Sequence, residues 1–251
     1  MRHGLAAAAS LRVEPGPRQL IRWEHAWPIV LRPTGADRVH LVHGAGGPLG
    51  GDRLSLSLDV AAGARLRVHS AGATLVQPGA EGGTAHWDVF ATVAGHLHWA
   101  PEPTIVTDGA ALDSHLRVDL AAGGTAILQE VVVLGRHGQL GGRHRGALTV
   151  TVAGTPLIAH VTHLDGADPA LSGPGGSAGA RASGSVLVAG LPGGSGAGER
   201  PGVRWAWTPL AGPGALLLAV GEPGAVTAVL DAEVGSLGTA EAADLPAPAH
   251  G

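Results

Sequence analysis

The chain has 251 residues, a formal net charge of −4, 42 glycines and no cysteine. The slight negative charge gives no sign of a nucleic-acid or membrane-surface partner, and the absence of cysteine excludes disulfides and thiolate metal sites. No apolar run approaches the ~20 residues of a membrane span, and the segment 2–10 is too short and weak for a secretory signal. We therefore expect a cytoplasmic protein, with residues 1–251 forming one large domain.

A glycine-rich loop at 43–53 is the first distinctive segment. The alternation of apolar and polar residues that follows it, 54–60, predicts a half-buried strand. If the strand's register reaches back to Asp52, this carboxylate points to the buried face. Asp52 can then cap backbone amides of the turn or act as a functional carboxylate. A phosphate-binding loop is excluded, because a strand follows where a helix is required and the chain has no lysine.

Pairs of alternating segments around a short turn repeat along the chain about every 30 residues, with turn glycines at 63, 95, 123 and 154. Each pair predicts a strand, a tight turn and a second strand. The pairs are 56–60 with 64–68, 87–93 with 96–99, 115–120 with 125–134, and 147–152 with 156–161. Sustained helical periodicity is weak everywhere and strongest at 225–234. The predicted fold class is all-β, with successive antiparallel hairpins in stacked or sandwich-like sheets, or stacked as a β-solenoid, and few short helices.

Two histidines on one strand face, His96 and His98, have a spacing that suits a shared metal ion. With Glu102 and Gly109 they resemble the first half of the cupin metal motif. The leading glycine of that motif would fall at Phe90, and its second half is missing. This favours two ordinary strand histidines, with a cupin-like metal-dependent enzyme using His96, His98 and Glu102 as the alternative.

Glu130 is the most informative single residue of the sequence. It lies in the run 126–134, whose apolar residues occupy both faces of the predicted strand and indicate burial on both sides. A carboxylate there is costly unless it is paired, and Arg136 follows with the same parity. Glu130 and Arg136 therefore form either a structural ion pair or part of an internal passage or interface, and both interpretations stay open.

The segment 165–202 is rich in Gly, Ser and Pro and predicts long loops around one strand at 185–191. Within it, 175–179 matches the Gly-x-Ser-x-Gly pattern but lacks the strand and helix that a nucleophile elbow needs. The Ala/Pro-rich end, 238–251, predicts a flexible tail. The six tryptophans leave a sugar-binding β-sandwich as a further alternative.

Three segments, in order, resemble the urease accessory protein UreD (UreH) family. Gly46 to Leu54 is similar to the family's Gly-Gly-x-x-Gly-Gly-Asp signature. Trp99 to Ile105 resembles its Trp-Leu-Pro-x-x-x-Ile stretch, and Glu130 to Arg136 its Glu-x-x-x-Leu-Gly-Arg motif. The resemblance covers roughly residues 10–165.

This resemblance implies a mainly β scaffold, a chaperone for nickel insertion rather than an enzyme. It would bind apo-urease and then the accessory protein UreF, which recruits the nickel-carrying GTPase UreG. No cofactor would be tightly bound, and nickel would be in transit. The resemblance makes Asp52 and Glu130 carboxylates in or beside a nickel passage, with Arg136 fixing Glu130 or shaping the passage. The structural glycines of the loop are Gly46, Gly47, Gly50 and Gly51.

Overall fold

The structure is a computed structural model that describes residues 4–243. In this range it has 18 strands and two helices. The strands of the first half are β1 Ala6–Glu14, β2 Leu20–Glu24, β3 Ile29–Pro33, β4 Arg38–His43, β5 Arg53–Val60, β6 Arg65–Ser70, β7 Thr74–Val76, β8 Ala85–Val93 and β9 His96–Ala100. Those of the second half are β10 Thr104–Val106, β11 Ala111–Leu120, β12 Thr125–Leu134, β13 Arg143–Val152, β14 Thr155–Asp165, β15 Ala182–Ala189, β16 Ala197–Arg200, β17 Val203–Pro209 and β18 Gly214–Gly221. The helices are α1 Pro169–Ser172 and α2 Pro223–Ala243.

The strands form two sheets. The first sheet has seven strands in the order β14-β13-β11-β8-β5-β1-β2. The second sheet has eleven strands, nine of them in the order β16-β17-β18-β15-β12-β9-β6-β4-β3, with β7 and β10 alongside. Neither helix of residues 4–243 is long and apolar enough to cross a membrane.

The chain alternates between the two sheets at the turns that contain Gly63, Gly95 and Gly123. The strand before each turn joins the first sheet and the strand after it joins the second, and like strands of successive coils pair in parallel. The all-β, solenoid-like fold is thus confirmed, but the hairpin pairing predicted at these three turns is wrong. Alternation determines which side chains are buried, not which strand supplies the hydrogen bonds. At Gly154 the predicted antiparallel hairpin does form, between β13 and β14.

The main core lies between the two sheets and consists of columns of equivalent residues from successive coils. In the first sheet the register aligns Leu56 with Val89, and Val89 with Leu116. Leu116 in turn aligns with Leu148, and all four side chains are buried. One coil consists of a strand in the first sheet, a turn and a strand in the second sheet. Each coil therefore buries its apolar residues against the neighbouring coils as well as against the opposite sheet. This is why one sequence repeat of about 30 residues corresponds to one coil.

Helix α2 covers part of the outer face of the second sheet and forms a second apolar cluster. It packs on β12, β15 and β18, with Val226, Val229 and Leu230 buried against the sheet. At Gly184 the approach is so close that a Cβ would lie 2.6 Å from Val226 Cγ1. Strand β12 is thus buried on both faces, as predicted for residues 126–134.

The glycine-rich segment 165–202 contains α1, β15 and β16. Its predicted strand at 185–191 corresponds to β15, which begins at Ala182. The predicted helix at 225–234 lies within α2, which continues to Ala243. The helix therefore includes the first residues of the segment 238–251 that was predicted as a tail, and residues 244–251 lie outside the described residues.

Candidate functional site

Asp52 caps the glycine loop, as one of its two interpretations predicts. It is buried at the start of β5, and its two carboxylate oxygens accept hydrogen bonds from the backbone N–H groups of Leu5 (2.8 Å) and Leu49 (2.9 Å). The carboxylate thereby ties the N-terminal strand to the loop. It compensates part of its own desolvation through these charge-assisted bonds.

The glycines of the loop allow close contact between neighbouring corners of the coil stack. A Cβ on Gly50 would lie 2.7 Å from the backbone nitrogen of Gly79 and 2.8 Å from the carbonyl oxygens of Gly82 and Gly83. Gly51 has φ +94°, a conformation that favours glycine. The signature loop therefore has a packing role in this fold.

Glu130 lies near the middle of β12 and points toward the space between the two sheets. Its side chain is partly buried and makes no hydrogen bond or ion pair with another described residue. Burial raises the pKa of Glu130 from an ordinary 4.5 to about 7, because the surroundings disfavour the charged form. Near neutral pH this carboxyl group therefore exchanges readily between its protonated and ionised forms.

Glu130 lines a cavity of about 40 Å³ between the ends of the two sheets. This is room for about two or three water molecules. Its polar lining consists of Glu130, His144, His160, Thr162, Ser183 and Ser185. The cavity also borders Gly146, over which the imidazole ring of His144 packs: a Cβ on Gly146 would lie 2.7 Å from His144 Cε1. The apolar inter-sheet core thus gives way to a small polar chamber at this end of the stack.

His144 is the most deeply buried polar group of this chamber. Its Nε2 lies 2.9 Å from the hydroxyl oxygen of Ser114, while its Nδ1 is buried with no partner among the described residues. Burial lowers the pKa of His144 to about 4, against a smaller opposing effect of Asp113. The imidazole is neutral at pH 7, which is the form that can bind a metal ion.

A surface cleft of about 570 Å³ adjoins the chamber, and its charged lining consists of Asp113, Asp165, Asp168, Arg143 and Arg145. Asp113 is paired with Arg145 at 2.9 Å. His144 and Leu164 line both the cleft and the chamber. These two side chains separate the cleft from Glu130, so a small ion entering from the cleft would pass them first.

Arg136 does not pair with Glu130, so the predicted ion pair is wrong. No ion pair of Arg136 occurs among residues 4–243, and its side chain is exposed in the turn after β12. The physical reason is Gly135, whose φ of +68° ends the strand and its alternation before Arg136 is reached. Asp52 is likewise not among the residues that line the chamber. The structure therefore separates the three predicted site residues.

His96, His98 and Glu102 do not form the cupin-like metal site considered as an alternative. The Nδ1 of His96 lies 2.8 Å from the hydroxyl oxygen of Thr125, and His98 packs against His69. Among the described residues, no three histidine, aspartate or glutamate side chains are placed to hold one metal ion. The partial motif match is therefore a coincidence of strand alternation.

The tryptophans do not form one exposed binding face. Trp99 and Trp207 are buried in different apolar clusters, whereas Trp27 is 61% exposed. This distribution is typical of core residues with one or two surface aromatics, and it gives a sugar-binding face no support.

Comparison with known proteins places these features in a family. The model of the family described as UreD urease accessory protein matches residues 5–225. A urease accessory protein UreD of Frankia alni is 37% identical, over 88% of this chain and 89% of its own length. Another, from Streptomyces coelicolor, is 42% identical over 75% of this chain and 77% of its own length. The chain belongs to the UreD urease accessory protein family.

Membership in the UreD family confirms the resemblance read from the motifs, and it supports a role in urease maturation. The residues that sequence reasoning missed are His144 and His160, on opposite strands of the β13–β14 hairpin. The sequence does contain a pattern that could have identified His144. His144 has the same parity as Leu148, so strand alternation alone would have placed this histidine on the buried face.

Proposed function

We propose that this UreD-family chain is a non-catalytic scaffold for urease maturation. It binds apo-urease together with the accessory proteins UreF and UreG in the cytoplasm, and it gives nickel a protected path toward the urease active site. The single observation that carries the nickel part is Glu130, an unpaired carboxyl group in an internal polar chamber.

The chemistry of the chamber suits a metal ion in transit. A carboxylate oxygen from Glu130 and a neutral imidazole nitrogen from His144 are both acceptable ligands for divalent nickel. No third ligand group converges with them among the described residues. An incomplete ligand set binds an ion weakly and therefore allows its release, which a delivery path requires.

The cleft beside the chamber supports an entry at that side. Asp165 and Asp168, which have no ion pair among the described residues, would attract a divalent cation to the cleft, and the ion would then meet the shared wall of His144 and Leu164 before it reaches Glu130. Asp52 contributes by holding the first corner of the stack together. Its place in or beside the passage stays a prediction.

The test is co-expression of apo-urease with the other accessory proteins, with and without this chain, followed by measurement of urea hydrolysis and of nickel bound to urease. Both quantities should depend on the chain. Glu130→Gln should lower both by at least tenfold while the chain still co-purifies with its partners. Glu199→Gln, at an exposed carboxylate away from the chamber, is the matched control and should behave as the parent does.

Two results would count against the proposal in different ways. If urease activity and nickel content do not depend on the chain, the maturation role is wrong. If they depend on the chain but Glu130→Gln matches the parent, the scaffold role stands and the path through this chamber is wrong.

A further inference from the structure

The outer face of the second sheet carries a cluster of cationic and imidazole side chains beside α2. We call it the basic patch, and its members are Arg38 and His40 on β4, Arg65, Arg67 and His69 on β6, and His96 and His98 on β9. The register places Arg38 opposite Arg67, and Arg67 opposite His98. The residues between them in each strand are buried in the core, so these seven side chains share the outer face.

The imidazoles of the basic patch are packed against one another. The ring centroids of His40 and His69 are 5.8 Å apart, and those of His69 and His98 are 5.9 Å apart. Asp37 forms an ion pair with Arg67 at 2.8 Å. Among the described residues, no other carboxylate forms an ion pair with a member of the patch. Arg67 Nε and His98 Nε2 are buried without a hydrogen-bond partner in the same range. The exposed guanidinium groups of Arg38 and Arg65, rather than these two buried atoms, are therefore what an incoming acceptor group can reach.

The first sheet shows the opposite arrangement on its outer face, where arginines pair with carboxylates of the same surface. These pairs are Arg12–Asp59 at 3.6 Å, Arg117–Asp119 at 3.2 Å and Arg145–Asp113 at 2.9 Å. In the basic patch Arg38 and Arg65 are exposed and have no ion pair within residues 4–243. Because the whole chain has a net charge of −4, this local excess of positive charge is a specific feature of one surface.

The size of the basic patch fits one α-helix. From β4 across β6 to β9 there are two strand spacings, about 10 Å, and a helix with its side chains is about 10–12 Å across. Helix α2 lies on the neighbouring strands and forms one wall of the site. It also shows how a carboxylate meets this sheet, since Asp231 on α2 accepts a 2.9 Å hydrogen bond from the Gln129 side chain.

We propose that the basic patch is a docking site for a helix with an acidic face, contributed by a protein partner and lying beside α2. This inference rests on the proposed function for the identity of the partner, which would be apo-urease or an accessory protein. Arg38 and Arg65 would pair with carboxylates of the incoming helix, and the histidine stack would supply hydrogen-bond donors. A long polyanion such as a nucleic acid fits less well, because the net negative chain around the patch repels it.

Docking at the basic patch should be coupled to proton uptake. Burial, and then the charges of His40 and Arg38, lower the pKa of His69. Burial, followed by His69, His96 and Arg67, lowers the pKa of His98 to about 4, and Asp231 opposes this. Both rings are therefore neutral at pH 7. Carboxylates brought close by a partner would favour the protonated rings, as Asp231 does for His98, so affinity should rise as the pH falls below the ordinary histidine pKa of 6.5.

The experiment measures binding of the full chain to apo-urease and to each accessory protein, purified separately, at several pH values and salt concentrations. The test variant is Arg38→Glu with Arg65→Glu. The control is Arg22→Glu with Arg204→Glu, an equal charge change at exposed arginines on β2 and β17 that have no ion pair among the described residues. We expect one partner to lose at least tenfold in affinity with the test variant only. Reversing acidic residues on that partner's helix should restore binding.

A second measurement keeps the inference independent of urease. The chain is titrated with a 21-residue helical peptide that has glutamates along one face, and with the same peptide carrying glutamines. The parent should prefer the acidic peptide at least tenfold, and the test variant should lose that preference. If no urease protein binds the parent, the proposed function fails and this titration decides the patch alone. Equal binding of both peptides, unchanged partner affinity in the test variant, or tighter binding of RNA than of the acidic peptide would overturn the docking site.

Discussion

Replacing Glu130 by glutamine should stabilise the protein at alkaline pH while lowering nickel delivery. The carboxyl group lies in the chamber between the sheets without a hydrogen-bond or ion-pair partner among the described residues, and burial raises its pKa to about 7. Glutamine has nearly the same shape and no charge to desolvate. The substitution therefore removes an energetic cost and leaves the packing of β12 in place.

The size of the effect follows from proton linkage. The folded-state pKa lies above the unfolded value of 4.5, so the folded protein binds more protons between these values and its stability falls as the pH rises through them. The cost is almost absent below pH 4.5, reaches nearly its full value by pH 7, and is constant above that. A rise from 4.5 to about 7 corresponds to about 3 kcal/mol in the free energy of unfolding at pH 8. This is an upper value, because the Glu130 side chain is only partly buried.

The assay is urea denaturation of the parent and of Glu130→Gln at pH 5 and pH 8. At pH 8 the variant should gain up to about 3 kcal/mol, and at pH 5 about 1 kcal/mol or less. For a chain of this length the gain at pH 8 corresponds to about 5–10 °C in Tm. Glu199→Gln, at an exposed carboxylate, should show the same stability as the parent at both pH values.

A difference between variant and parent that is the same at pH 5 and pH 8 would refute the reasoning, because Glu130 would then not be a desolvated carboxyl group. A variant that is more stable and still delivers nickel normally would preserve the electrostatic argument and remove Glu130 from the path. The combination of higher stability with lower delivery is the result expected of a carboxylate retained for function.

Four further substitutions, at three positions, test the architecture by urea denaturation at pH 7. Asp52→Ala should lower the free energy of unfolding by about 1–3 kcal/mol, because two backbone amides lose their acceptor. Asp52→Asn should lower it by about half as much, because one acceptor oxygen remains. Equal losses for the two variants would contradict the capping role of Asp52. Gly184→Ala should cost about 1–3 kcal/mol, because its Cβ would lie 2.6 Å from Val226 Cγ1; an unchanged stability would mean that α2 shifts freely. Leu56→Ala should cost about 2–5 kcal/mol, because this side chain is fully buried in the stacked core; a loss below 1 kcal/mol would argue against the column packing.

Several features of the fold could be predicted from the sequence because they depend on local patterns. Alternation located the strands around Gly63, Gly95, Gly123 and Gly154, and the run 126–134 was correctly interpreted as buried on both faces. The first four strands, β1 to β4, and the last three, β16 to β18, were missed. Most of them pair with the next strand along the chain, but their apolar and polar residues alternate too irregularly to predict a strand.

The candidate site was predictable only in part. Glu130 was found because a carboxylate within an apolar strand is recognisable from the sequence alone. Its chamber was not, since the chamber is lined by His144 and His160, which two other strands contribute. The ion pair between Arg136 and Glu130 does not form, because Gly135 turns the chain before the alternation reaches Arg136; a role of Arg136 in shaping the passage stays a prediction.

The sequence by itself determined which residues face inward, where the chain turns, and to which family the chain belongs, because side-chain alternation and glycine motifs are local properties. Tertiary structure alone decided that consecutive strands enter different sheets, that Asp52 caps two amides, and that Glu130 meets an open chamber rather than an arginine. Strand pairing, desolvation and cavity formation depend on which distant segments come together. Every residue except proline offers the same backbone donor and acceptor, so the sequence does not show directly which distant segments pair.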